Sequence, residues 1–371
     1  MKFTSDKSSL QQALQQLGKV TPSRSTLPIL SSILIIAKEG KLSLRATDLE
    51  ISQVIFIPSE IAIEGSVAIQ HRTLLEITSE IPEGEIKIEV GSSHRVSIST
   101  SFGFYSIMGK PTEEFPSLPS VDDHQLVCLP ASTLKRVIEK TAFSTSRDEL
   151  KPSLMGVLFS FRESDFLAVA TDGHRLVKYL FKDYKGESFK GSSILPVKFL
   201  NILSTHLDDN ETVTLSIGEN HIMMEGNETT LYSRLIDERF PEYDSVFPKD
   251  NDKLLKIDRE SFLSAVRRVS IFSNKSTHQI ALKLSPEGLE ITTEDVETVS
   301  SARETLPCEY EGEPLVVGYN SNYLHDLVSH IDGSSVHMEF RSAVTAAIIY
   351  PDKQQEKEEL MMLLMPIRLN D

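Results

Sequence analysis

The stretch ATDGHRLVKY at 170–179 places a carboxylate two residues before an imidazole, next to a glycine and an arginine. In that spacing Asp172 could orient His174, and His174 could take a proton as a general base. The same residues also read as the wall of a pocket that catalyses nothing. Catalysis would need a nucleophile within reach of the base, and none is evident near this Asp-x-His pair. Patterns of the G-x-G-x-x-G, HExxH and G-x-S-x-G kinds do not occur in the chain. GFYSIMGKP at 103–111 comes near a phosphate-binding loop, but it has one residue too many between Gly103 and Gly109. Pro111 also stands where a hydroxyl would ligate magnesium. The histidines are scattered, and Cys128 and Cys308 lie far apart, so neither a metal site nor a disulfide framework is expected. The expectation is a chain with no catalytic residues, metal or cofactor.

The elements that must hold this stretch begin with bulk properties. At 371 residues the chain is too long for one typical domain, and its 40% hydrophobic and 25% charged content is that of a globular protein. The N-terminus lacks the apolar core of a secretory signal, and the longest apolar run, LPILSSILIIA, is broken by Ser31-Ser32. A cytoplasmic protein without membrane partners is expected. The formal charge of −16 argues against an ordinary nucleic-acid binder. Net charge describes the whole surface, however, and one basic face is compatible with it.

Three segments repeat: MKFTSDKSSLQQALQQLGKV, LVCLPASTLKRVIEKTAFST and LLKIDRESFLSAVRRVSIFS. With Phe3, Val127 and Leu255 aligned, each reads as a strand leading into an amphipathic helix. The apolar stripes are Leu10, Ala13, Leu14 and Leu17; Leu134, Val137, Ile138 and then Thr141; and Phe262, Ala265, Val266 and Val269. Each repeat continues with alternating strands, a short helix and further strands, and the first two close on proline-rich EEFPSLP and ERFPEYDSVFP. The pattern predicts three α+β domains of about 120 residues: 1–120, 126–248 and 253–371. Thr47-Asp48 stands in the first repeat where Thr171-Asp172 stands in the second, which suggests a structural role at a strand end. GHRL occurs only in the second.

RSTLPIL (24–30), ATDLE (46–50), ATDGHRL (170–176), RFPEY (239–243) and LMPIRL (364–369) occur in this order. Together with the triplication they resemble the bacterial sliding clamp, the DNA polymerase III beta subunit, over essentially the whole chain. The resemblance implies three clamp-type domains, each with two helices packed on antiparallel sheets. It also implies a head-to-tail homodimer forming a six-domain ring. Twelve helices spaced about 10 Å apart would line a hole of about 38 Å diameter, wide enough for a sliding duplex. Double-stranded DNA would be held by weak, sequence-independent phosphate contacts.

Candidate DNA-facing cations are Arg24, Arg72, Lys135, Arg136, Lys140, Arg147, Lys198, Arg267 and Arg268. In the resembled family the TDGHRL segment and the C-terminal strand form a pocket for short linear peptides. The matching positions are Leu154, Thr171, Gly173, His174, Arg175, Leu176, Pro241, Val246, Asn320, Tyr323, Met365, Pro366, Ile367, Arg368 and Leu369. Implied partners are the polymerase III alpha subunit, other polymerases and repair proteins, and an ATP-driven clamp loader.

For the dimer seam the candidates are Arg95, Phe104, Tyr105 and Ile107 on one side, with Ile271, Phe272, Glu294 and Glu297 on the other. The chain departs from the family pattern at Asp244-Ser245, where many clamps are basic, and at Thr277 and Pro152-Ser153, where some carry aromatics. It also runs two residues further, to Asn370 and Asp371. A hydrolase using Asp172 and His174, and a repeat-built scaffold without DNA contact, are the alternatives.

Overall fold

The computed structural model describes residues 1–121, 124–184 and 190–369. The first repeat runs β1 (Lys2–Asp6), α1 (Lys7–Leu17), β2 (Ser32–Lys38), β3 (Lys41–Thr47), β4 (Ile51–Ile57), β5 (Glu60–Ile63), β6 (Gly65–Gln70), α2 (His71–Glu80), β7 (Glu85–Val90), β8 (Arg95–Ser99) and β9 (Phe104–Met108). The second runs β10 (Gln125–Pro130), α3 (Ala131–Thr141), β11 (Gly156–Phe161), β12 (Phe166–Thr171), β13 (Arg175–Phe181), β14 (Gly191–Pro196), α4 (Val197–Ser204), β15 (Thr212–Ile217), β16 (His221–Glu225) and β17 (Thr229–Arg234). The third runs β18 (Lys253–Asp258), α5 (Arg259–Ser270), β19 (Gln279–Ser285), β20 (Gly288–Asp295), β21 (Ser300–Leu306), β22 (Glu309–Glu311), β23 (Leu315–Asn320), α6 (Ser321–Ser329), β24 (Ser335–Phe340), β25 (Ala347–Pro351) and β26 (Glu358–Leu364).

The helices form where the apolar spacing places them. Leu10, Ala13, Leu14 and Leu17 are buried, as are Leu134, Val137, Ile138 and Thr141, and Phe262, Ala265, Val266 and Val269. Burying each large side chain stabilises by about 1.5–3 kcal/mol, far more than helix propensity contributes. Asp6 caps α1 by accepting from Ser8 and Ser9 amides at 3.0 and 3.3 Å, and Asp258 caps α5 through Ser261 at 2.9 Å.

Strand pairing does not stop at the repeat boundaries. One eight-stranded sheet has the order β10-β15-β16-β17-β4-β3-β2-β6, and one nine-stranded sheet has the order β14-β11-β12-β13-β26-β25-β24-β18-β22. In the first, β17 of the second repeat pairs with β4 of the first, Ser233 opposite Ile51. In the second, β26 of the third repeat pairs with β13 of the second, Leu364 opposite Arg175. Among the described residues two other sheets stay within the terminal repeats: β5-β1-β7-β8-β9 and β21-β20-β19-β23.

Consequently the chain packs as two compact units that share the central repeat. One comprises Met1–Ser132 with Ile202–Leu235; the other comprises Thr133–Asn201 and the residues from Ile236 onward. Among the described residues no helix is long and apolar enough to cross a membrane.

Candidate functional site

The ATDGHRL segment is a hydrogen-bonded turn between β12 and β13. Thr171 Oγ1 donates to the Arg175 carbonyl at 2.6 Å and accepts from the Gly173 amide at 3.0 Å. Asp172 Oδ1 accepts from the His174 and Arg175 amides at 2.9 and 3.0 Å. Its other oxygen accepts from Arg175 Nε at 3.1 Å. Gly173 sits at φ +90, which strains a residue carrying Cβ. Both oxygens of Asp172 are thus spent on the turn and on Arg175. His174 stacks its ring on Tyr323 instead, with centroids 5.7 Å apart. The general-base geometry considered for this pair is not formed.

Arg175 is buried and fully partnered. It donates to Asp326 on α6 at 2.7 Å and to the Phe143 carbonyl at 2.9 Å, and its guanidinium lies over the Tyr323 ring at 4.8 Å. A buried cation is tolerable only when so paired. Tyr323 in turn has its hydroxyl held above the usual phenol range by burial, with the Asp172 carboxylate adding to it.

The C-terminal strand completes the site. After β26 the Met365 amide donates to the His174 carbonyl at 2.9 Å, and the Ile367 amide donates to the Gly318 carbonyl at 2.9 Å. A Cβ at 318 would lie 2.7 Å from both the Ile367 carbonyl oxygen and the Leu369 side chain, so this close approach requires glycine.

These elements enclose a cavity of about 160 Å³. Leu154, Thr171, Gly173, His174, Arg175, Leu176, Pro241, Val246 and Met365 line it, all from the expected set. Glu242, Tyr243 and Leu363 line it as well and were not expected. The first two lie within the RFPEY signature, which is their signal in the sequence; Leu363 reads there as plain core strand. Beneath lies an apolar cluster that includes Leu158, Leu176, Phe240 and Leu363.

The remaining expected residues lie around the cavity. Asn320 caps α6 by accepting from the Asn322 and Tyr323 amides at 2.9 and 3.3 Å. Tyr323 borders a neighbouring cleft of about 590 Å³ with Arg147, Lys151 and His330. Leu369 reaches a separate groove that contains Thr277. Pro366, Ile367 and Arg368 continue the tail without lining the 160 Å³ cavity. Asp244 is explained by its partner, Lys178 on β13 at 2.8 Å, whose ammonium also sits over the Tyr243 and Phe247 rings. Asn370 and Asp371 lie outside the described residues.

The candidate DNA-facing cations divide. Arg24, Arg72, Lys135, Arg147, Lys198, Arg267 and Arg268 are exposed, Arg72 paired with Glu76 and Arg268 with Glu304. Lys140 and Arg136 are a correction to the sequence reading. Lys140 is 2% exposed and donates to the His330 carbonyl and to Asp332, both at 2.8 Å. Arg136 donates to Asp332 and, at 2.7 Å, to Glu358. Burial alone would lower the Arg136 pKa, but the two carboxylates reverse this and hold it above the ordinary guanidinium range. Both cations tie α3 to the third repeat, and Lys140 has no surface from which to meet a phosphate.

Of the seam candidates, Phe104, Tyr105 and Ile107 lie on β9 and Arg95 on β8, with Phe104 66% exposed. Ile271 and Phe272, also exposed, follow the end of α5 and do not lie on a strand. The edge strand nearby is β21, which the sequence reading does not single out; Ser300 at its start donates to the Phe272 carbonyl at 3.4 Å. Glu294 lies near the end of β20 and Glu297 in the turn before β21, both exposed. Among the described residues no cluster of metal-ligating side chains occurs.

Three successive domain profiles of the DNA polymerase III beta subunit match this chain: N-terminal over 1–119, central over 128–242 and C-terminal over 244–368. The beta sliding clamp of Bacillus subtilis is 30% identical, covering 99% of this chain and 100% of the relative. That of Vibrio cholerae is 30% identical with both chains fully covered. Among solved structures, the Bacillus subtilis clamp superposes with a TM-score of 0.92 at 29% identity over 100% of both chains. A Bartonella birtlesii clamp bound to griselimycin gives 0.93 at 30% identity, again over 100% of both. Fold and site therefore define a three-domain, non-catalytic clamp protein. The chain belongs to the DNA polymerase III beta subunit family.

Proposed function

We propose that two copies of this chain close head to tail into a ring around duplex DNA, and that the cavity beside His174 docks short apolar peptides of its partners. The protein is a sliding clamp that tethers the replicative polymerase and other DNA-processing proteins in the cytoplasm. A closed ring must be opened to admit DNA without a free end, which is the task of a loader.

The observation that carries this reading is the rule of strand pairing. The last strand of each later repeat joins the repeat before it: β17 joins β4, and β26 joins β13. The same rule leaves two strands unsatisfied, β9 as the last strand of the first repeat and β21 as the counterpart of β4 and β13. Both are sheet edges among the described residues. An exposed apolar edge such as β9 calls for a partner strand, and another copy supplies it.

Register supports the same pairing. Isolated bridges link Ala68 to Lys110, Ile194 to Ile236 and Gly318 to Ile367, which aligns the three strand ends. Thr47 opposite Ser52, Thr171 opposite Leu176 and Asp295 opposite Ser300 align the three turns. By that alignment Ile107 faces Val299 of the second copy, as Ser233 faces Ile51 and Leu364 faces Arg175 within the chain. Light scattering over a dilution series tests the assembly: the expected mass is twice 41.5 kDa, and a persistent monomer would overturn it. Removing the residues after Leu364 is expected to abolish peptide binding while the dimer persists.

A further inference from the structure

We propose that the mouth of the cavity selects peptides with basic residues beside their apolar anchors, on the flank that passes residues 241–246. This rests on the pocket assignment and adds the charge of the ligand. The segment 237–244, DERFPEYD, holds Asp237, Glu238, Glu242 and Asp244 against the single cation Arg239. All five charged side chains are exposed, and Glu242 lines the cavity itself.

The cations nearby neutralise this lip only in part, Arg239 and Lys178 standing against four carboxylates. Arg175, the one Lys or Arg among the lining residues, is spent on Asp172 and Asp326 and offers no free charge to a ligand. Lys178 is held by Asp244 and by the faces of Tyr243 and Phe247. Arg239 pairs with Glu242, but both side chains are largely solvated, and such pairs exchange readily. Glu242 and Asp244 stay 76% and 66% exposed within their pairs, so an incoming lysine or arginine can reach both, and the net negative field of the segment would favour its approach.

The test uses the full-length protein and two fluorescein-labelled peptides that share one apolar core and differ in paired lysine or paired glutamate flanks. Anisotropy titrations at low salt are expected to favour the lysine peptide by about two- to fivefold, with the gap closing as salt rises. The combined variant Glu242→Gln with Asp244→Asn is expected to remove the preference. Glu287→Lys, a charge change in an exposed turn, is expected to leave it. Equal binding, a glutamate preference, or an equal response to Glu287→Lys would overturn the proposal. If neither peptide binds, the pocket assignment falls as well, which separates that failure from a failure of charge selection alone.

Discussion

Turns 47–51 and 171–175 share a backbone and differ in what they do. In the first, Thr47 Oγ1 donates to the Ile51 carbonyl at 3.0 Å and Asp48 accepts from the Glu50 and Ile51 amides at 3.0 and 2.7 Å. Its counterpart repeats this with Thr171 and Asp172. Even the tether is common: the Arg234 amide donates to the Glu50 carbonyl at 2.8 Å, as Met365 does to His174. The Thr-Asp pair is therefore scaffold, and function lies in the residues that differ. Leu49 carries a side chain at φ 81, whereas Gly173 leaves open space where a Cβ would stand. Ile51 is a buried apolar residue where Arg175 reaches Asp172 and Asp326. The second turn forms a pocket wall because it carries no side chain at its tip and has an arginine that locks its base.

The largest expected effect follows from that arginine. Arg175→Met should cost about 3 kcal/mol in urea unfolding, because the nearly buried Asp172 carboxylate loses its cation and one of its oxygens loses its donor; a loss under 1 kcal/mol would show the lock to be unimportant. Gly173→Leu copies the first turn into the second. It should cost about 1–2 kcal/mol for the left-handed backbone and weaken peptide binding at least tenfold by obstructing the mouth. The reciprocal Leu49→Gly should raise stability by about 1 kcal/mol by relieving the same left-handed strain, and should create no peptide site, since the arginine lock is missing there. Asp48→Ala should cost about 1 kcal/mol through the lost amide acceptor, a loss that Asp172→Ala shares. The Asp172 variant should lose more, because Arg175 depends on it.

The smallest effect concerns pH. Burial lowers the pKa of His330, which stacks on Phe143 in the second unit, and of His206 in the first, where Lys19 adds to the shift. Each stays neutral in the fold while the unfolded chain takes up a proton near the ordinary value of 6.5. Their contribution is complete above that value and lost as pH falls below it. Melting temperature should therefore drop between pH 7.5 and 5.5, with a shallower drop in His330→Asn; an unchanged slope would contradict the assignment.

Much of this is legible in the sequence. Apolar spacing suffices for α1, α3 and α5, because a buried helix face repeats locally. The repeated Thr-Asp pair identifies a turn without sight of its hydrogen bonds. Arg136 and Lys140 mislead because their carboxylates, Asp332 and Glu358, lie far along the chain, and a cation on a helix carries no local mark of such a partner. Edge strand β21 escapes notice for a related reason. SSARETL has little apolar signal, and only its position in the sheet reveals the open edge, whereas Ile271 and Phe272, which the resemblance implies at the seam, lie beside that edge after the end of α5.

The central claim is that β9 of one copy pairs with β21 of another, and a cross-strand disulfide tests it most directly. Ile107 and Val299 are expected to form a close pair with Cα atoms about 4.5 Å apart, within disulfide range. Ile107→Cys with Val299→Cys, in a chain whose Cys128 and Cys308 are replaced by serine, should oxidise to a covalent dimer on a denaturing gel. Each single variant should remain a monomer there. No cross-link in the double variant, despite a dimeric mass in solution, would contradict the pairing and with it this account of how the ring closes.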